Sequence, residues 1–155
     1  FESSAVLFKY KINFKMPGGS GFKAHQDVQA GWDRYCKLHI TALVSVDAAN
    51  KENGCLELSK GKHQDGIIGK RWVPLEEDSL DYISCPTNPG DVVFFDSYCP
   101  HRSKPNNTDE PRRVLYITYN KLSDGDHREK YYADKRLSYP QDCERDPNKK
   151  YEYLV

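Results

Sequence analysis

Alternation of apolar and polar residues at period two constrains this chain more than any other feature. From Val6 to Lys15, Val6, Phe8, Tyr10, Ile12 and Phe14 fall on one face and Leu7, Lys9, Lys11 and Asn13 on the other. Successive side chains of a strand point to opposite faces, and β-branched and aromatic residues favour that conformation. Leu38 to Val46 repeats the pattern, with Leu38, Ile40, Ala42, Val44 and Val46 on one face and His39, Thr41, Leu43 and Ser45 on the other. A largely polar face on a strand this rich in Ile and Val meets either solvent or a lined cavity. Cys55 to Leu58, Val92 to Asp96 and Arg113 to Tyr119 read as further strands. Turn signals at Pro17 to Gly21, Asn50 to Gly54 and Asn88 to Asp91 separate them. Short strands, Gly/Pro turns and little helix predict a mainly β sandwich or barrel of jelly-roll type.

The C-terminal stretch has another character. Lys121 to Val155 is dense in charge and carries Pro140 and Pro147. It reads as a charged, surface-wrapping tail, partly helical around Glu129 to Arg136. Residues 1–120 are thus expected to form the core and 121–155 an extension of the same domain, which suits a length of 155 residues. Lys plus Arg and Asp plus Glu both number 23, so the net charge is zero. That balance argues against a nucleic-acid partner bound through a broad basic surface. No apolar run reaches the ~20 residues that span a bilayer, so no membrane partner is expected. Cys36, Cys55, Cys85, Cys99 and Cys143 are widely spaced and form no Cys-x-x-Cys pair. Free, mostly buried thiols in a reducing, cytoplasmic setting are expected. The first residue is Phe1, so the chain reads as a portion of a longer protein. Asn106-Asn107-Thr108 is a glycosylation triplet of the kind that arises by chance.

His25-Gln26-Asp27 carries the chemistry. On an extended segment, residues two apart share a side, so the imidazole and the carboxylate can occupy adjacent positions of an octahedral metal. His101, just past the strand ending at Asp96, is the best candidate for a third ligand. Two His and one carboxylate on one face leave open positions, the arrangement of non-haem Fe(II) oxygenases. Of the other histidines, His39 has no carboxylate two residues on; His63 has Asp65 but lies in a Lys/Gly loop, and His127 has Glu129 but lies in the charged tail. Arg112 follows His101 by eleven residues, at the start of the next strand. A guanidinium holds a carboxylate through two parallel hydrogen bonds, as an acidic co-substrate beside the iron requires.

His25-Gln26-Asp27, Asn53-Gly54-Cys55-Leu56, Pro89-Gly90-Asp91 and His101-Arg102-Ser103 followed by Arg112 together resemble the phytanoyl-CoA dioxygenase family, from about Lys9 to Tyr119. The resemblance implies a double-stranded β-helix, a cupin-like jelly roll, with Fe(II) in its mouth and 2-oxoglutarate and O2 as co-substrates. It implies that His25, Asp27 and His101 bind the iron, that Arg112 binds the distal carboxylate of 2-oxoglutarate, and that Ser103 assists. Gln26 and Leu43 match positions lining the co-substrate pocket, with Lys11 or Asn13 as a further contact. Arg113 is the neighbour of Arg112, and only one of two adjacent strand residues can point inward; the offset from His101 selects Arg112. Halogenases of this superfamily replace the carboxylate ligand by a small residue; Asp27 is retained, which implies hydroxylation or another oxidation. Lys11-Ile12-Asn13-Phe14-Lys15, the segment Pro17 to Phe22 and the tail Tyr131 to Arg136 look like the branch that hydroxylates 2-aminoethylphosphonate and its N-methylated relatives.

The expected function is hydroxylation of a small metabolite by an Fe(II)- and 2-oxoglutarate-dependent dioxygenase. For a zwitterionic substrate, Lys9, Lys11, His39 and Arg102 offer groups for the anionic end, and Trp32, Tyr35 or Tyr98 could cradle an ammonium. The alternative is a non-catalytic, cupin-like metal- or ligand-binding module, which has no use for Arg112.

Overall fold

A bulge shapes the first strand. In the computed structural model, which describes residues 3–76, 78–140, 142–149 and 151, β1 (Ala5–Lys15) pairs antiparallel with β8 (Arg112–Lys121) and slips register between Leu7 and Lys9. The extra residue, Phe8, is fully buried. Beyond the bulge the phase is inverted from simple alternation: Lys9, Lys11, Asn13 and Lys15 turn inward, while Tyr10, Ile12 and Phe14 stand exposed on the outer face.

The remaining strands are β2 (Phe22–His25), β3 (His39–Ser45), β4 (Leu56–Leu58), β5 (Ile83–Cys85), β6 (Val92–Asp96) and β7 (His101–Ser103). They form two four-stranded antiparallel sheets, ordered β1-β8-β3-β6 and β2-β7-β4-β5. Apart from β4 and β5, successive strands cross from one sheet to the other, which winds the chain into the expected double-stranded β-helix. β2, β5 and β7 were not resolved as separate strands by the sequence pattern, because three or four residues are too few to show a period.

β3 presents His39, Thr41, Leu43 and Ser45 to the interior, all buried. Of the two settings open to this polar face, the cavity between the sheets is the one realised. Leu43, Leu56, Phe95, Cys99 and Val114 form the apolar core between the sheets. A second core of Phe8, Trp32, Tyr35 and Tyr131 closes one end. Tyr131 comes from α1 (Arg128–Ser138), the helix expected near Glu129. Tyr132 and Tyr35 fasten that helix, the first through its hydroxyl to the Tyr10 carbonyl at 3.2 Å and the second to Asp134 Oδ2 at 2.8 Å. All five cysteines are free, and three are buried. Asn106, the residue of the glycosylation triplet, is fully buried and donates to the Lys15 and Glu110 carbonyls at 3.0 and 2.8 Å.

Candidate metal centre

His25 and His101 face each other across the β2–β7 ladder. Their ring centroids lie 4.3 Å apart. Gln26 continues the extended backbone (φ −108°, ψ 135°) before a short 3-10 turn begins at Asp27, so Asp27 returns to the side of His25. One ligand atom each from His25, Asp27 and His101 lies within 4.8 Å of the others.

Both rings are oriented by the backbone. His25 Nδ1 lies 2.7 Å from the Lys23 carbonyl, and His101 Nδ1 lies 3.0 Å from the Cys99 carbonyl. A carbonyl only accepts, so each Nδ1 carries the proton and each Nε2 keeps the lone pair a metal needs. Burial, and then the neighbouring His101, push His25 down to about 4, so its ring is neutral at pH 7. Burial would raise Asp27, but His101, Lys9, His25 and Lys11 outweigh it and hold the carboxyl below its ordinary range. Two imidazole nitrogens and one ionised carboxylate suit a divalent first-row metal with open positions, iron(II) among them.

The cavity in front of these groups measures about 450 Å³, open mouth included. The first sheet lines it with Lys9, Lys11, Asn13 and Tyr116, and the second with Phe22, Leu56 and Ser103. Asn13 and Ser103 thus both lie on the cavity wall. Arg112 lies beyond the lining residues, 3% exposed, with Nε donating to the Asn53 carbonyl at 3.2 Å. Arg113 points outward into a two-toothed ion pair with Asp47, at 2.8 and 2.7 Å. Opposite Arg112 on the ladder sits Lys15, 4% exposed. Its ammonium donates to Ser103 Oγ at 2.7 Å and to the Lys104 and Gly54 carbonyls at 2.5 and 3.3 Å. The Asn53-Gly54 turn thus seats both cations through its carbonyls. Gly54 has φ +72°, and a Cβ there would collide with the Lys104 carbonyl. Neither Arg112 nor Lys15 has a carboxylate partner among the described residues. Lys15 spends its three N–H donors on the Ser103, Lys104 and Gly54 oxygens and adds positive charge, and the buried Arg112 guanidinium, without an anion, makes a site that a carboxylate fits.

Gln26 and Leu43 stand outside the cavity lining. Gln26 points away from the two ligands that flank it, as strand alternation requires. Its amide donates to the Gly66 and Tyr98 carbonyls at 2.7 and 2.6 Å and accepts from Ile68 N–H at 3.0 Å, tying the β4–β5 loop to the ligand-bearing segment. Leu43 packs in the apolar core. Among the other candidates, Arg102 is bound to Glu57 at 2.7 Å. His39 Nε2 lies 3.1 Å from Cys36 Sγ, with the Phe8 ring centred 4.3 Å away. Lys15 and Tyr116 were missed by sequence reasoning. The first continues the inward phase of Lys9, Lys11 and Asn13; the second sits two residues from Val114 on β8.

Comparison with known proteins places these features in context. A family model described as phytanoyl-CoA dioxygenase matches residues 4–114. The methylphosphonate hydroxylase of Gimesia maris is 50% identical over 141 residues, covering 88% of this chain and 54% of that protein. The 2-aminoethylphosphonate dioxygenase of an uncultured bacterium is 46% identical over 155 residues, covering 95% of this chain and 58% of that protein. The chain thus spans little more than half the length of these relatives. EvdO2 from Micromonospora carbonacea, solved in complex with 2-oxoglutarate, superposes with a TM-score of 0.61 at 26% identity, covering 81% of this chain and 57% of that one.

Proposed function

Because this chain belongs to the phytanoyl-CoA dioxygenase family, we propose that it carries the active site of an iron(II)- and 2-oxoglutarate-dependent dioxygenase that hydroxylates a small phosphonate. The observation that carries the reading is the convergence of His25, Asp27 and His101, whose ligand atoms lie within 4.8 Å of one another with both Nδ1 atoms committed to carbonyls. These three residues would hold iron(II). When bound, the metal supplies O2 activation, coupling decarboxylation of 2-oxoglutarate to oxidation of a substrate C–H bond.

The protein's own groups do the rest. Arg112 offers its guanidinium to the distal carboxylate of 2-oxoglutarate, and Ser103 adds a hydroxyl beside it, held by Lys15 at 2.7 Å. The Lys23 and Cys99 carbonyls keep both imidazoles in the tautomer that ligates. Phe22, Leu56 and Tyr116 give the cavity dry walls that aim one C–H bond. The phosphonate class is supported by the names of the two relatives that match most of this chain. A metal-binding module without turnover has no use for Arg112, buried without a carboxylate partner.

The test is succinate formation by the purified protein with iron(II), 2-oxoglutarate and air. Methylphosphonate or 2-aminoethylphosphonate should raise succinate well above the substrate-free rate, and Asp27→Ala should remove that increase. Folded, iron-loaded protein that forms no succinate with either phosphonate would overturn the proposal.

A further inference from the structure

We propose that Lys9 and Lys11 together form a receptor for the dianionic head group of the substrate. The inference rests on the dioxygenase reading and deepens it. Lys9 and Lys11 line the same cavity as His25, Asp27 and His101. Among the described residues, neither lysine has a carboxylate within ion-pair distance. Lys9 Nζ rests 4.2 Å from the centre of the Trp32 ring, and Lys11 Nζ lies 5.0 Å from that of Tyr116.

The two ammonium groups feel one another: burial, then Lys9, bring Lys11 to about 8. Asp27 is the one anion acting on Lys9 and Lys11, and in the dioxygenase reading its charge is shared with a divalent metal. An unneutralised cluster of cations in a partly desolvated cavity is a net cost to the fold unless an anion fills it. The Lys11 and Lys15 ammonium groups flank one ring, 5.8 and 5.7 Å from the centre of Phe22, but Lys15 is committed to Ser103 Oγ and to the Gly54 and Lys104 carbonyls beside Arg112. One cationic pair thus serves the co-substrate, and the lysine cluster remains for a second anion.

The same geometry limits recognition of the other end of the substrate. The Trp32 ring has Lys9 over it, the Tyr116 and Phe22 rings have Lys11, and the Tyr35 ring has the Arg34 guanidinium. No aromatic surface among these is left to cage an ammonium. The receptor therefore reads the phosphonate and not the amine, and short alkylphosphonates with or without an amino group should bind comparably.

The test is calorimetric titration of the full chain, loaded with manganese(II) to prevent turnover. Methylphosphonate, 2-aminoethylphosphonate and 2-oxoglutarate are titrated separately. The two phosphonates should bind wild type within about fivefold of each other. Lys9→Met and Lys11→Met should each weaken methylphosphonate binding about tenfold or more, the scale of one lost charge-assisted hydrogen bond. 2-Oxoglutarate affinity should stay within twofold, Lys11→Arg should retain phosphonate binding, and the melting temperatures should be unchanged or raised. Phosphonate binding that survives both Met substitutions, a loss confined to 2-oxoglutarate, or wild type that binds 2-oxoglutarate but no phosphonate would overturn the receptor and leave the dioxygenase reading standing. Wild type that binds no 2-oxoglutarate would instead overturn the dioxygenase reading itself.

Discussion

Gln26 stands between two ligands, His25 and Asp27, and stays outside the cavity lining. It is fully buried and satisfies three backbone groups, from Gly66, Ile68 and Tyr98. Removing the amide leaves those part-buried groups without their protein partner. Gln26→Ala should therefore cost about 2–4 kcal/mol of stability. Metal affinity should also fall, by about 10- to 100-fold, the usual result of disturbing a ligand's support. Thermal unfolding and iron titration of the same variant check both. His39 makes a pH prediction. Burial chiefly, with Lys9 and His127 adding and Asp27 and Asp33 opposing, holds it down to about 4. An unfolded imidazole protonates near 6.5. Between these values the unfolded chain binds a proton that the folded chain refuses, so stability is full above pH 6.5 and falls as pH drops toward 4. His25 acts in the same direction in metal-free protein. The urea midpoint should fall between pH 7 and pH 5, and less steeply in His39→Gln.

At the scale of elements, the ladder explains which features could be read without coordinates. The extended segment at His25-Gln26-Asp27 and the strand before His101 were legible, because ligand spacing two apart and a turn signal both leave marks in sequence. The inward orientation of Arg112 was legible from its offset from His101, since only one of two adjacent strand residues points inward; in the structure Arg112 is buried and Arg113 is drawn out by Asp47. The phase of β1 was only half legible. Its alternation is plain, but the bulge at Phe8 inverts which side meets the cavity, and no local pattern marks a bulge that is set by the partner strand. Gln26 shows a different limit: its position matches the family's co-substrate pocket, yet three backbone partners from distant loops claim its side chain. Gly54 links turn chemistry to the site. With φ +72° and the Lys104 carbonyl where a side chain would be, Gly54→Ala combines backbone strain with a collision. It should cost roughly 3 kcal/mol or more and displace the carbonyls that seat Arg112 and Lys15. Chemical denaturation measures the first effect and 2-oxoglutarate titration the second. The C-terminal helix was expected as a surface wrap, but Tyr131 is a core residue, 8% exposed among Phe8, Trp32 and Tyr35. Tyr131→Ala should cost about 3 kcal/mol, the scale of removing a buried ring.

Across the whole molecule, a net charge of zero hides strong segregation. Lys9, Lys11, Lys15 and Arg112 all project from the first sheet into the space between the sheets, while the outer face of that sheet exposes Tyr10, Ile12, Phe14 and Phe94. Composition alone cannot report this, because it averages over the two faces of a strand. Among the described residues no helix is long and apolar enough to cross a membrane. Both apolar cores form without the His25, Asp27 and His101 side chains, so the fold is expected to persist without metal. Chelation should leave the circular dichroism spectrum unchanged. It should lower stability only by the ligand term, about 2.7 kcal/mol at a hundredfold excess of metal over its dissociation constant.

The central claim is that His25, Asp27 and His101 hold iron beside a 2-oxoglutarate site anchored by Arg112. Anaerobic titration of iron(II)-loaded protein with 2-oxoglutarate tests it most directly, through the weak visible charge-transfer band that forms when the keto acid chelates the metal. The band should appear in wild type, weaken in Arg112→Ala and vanish in His101→Ala. A folded, iron-loaded protein that develops no band at saturating 2-oxoglutarate would contradict the account.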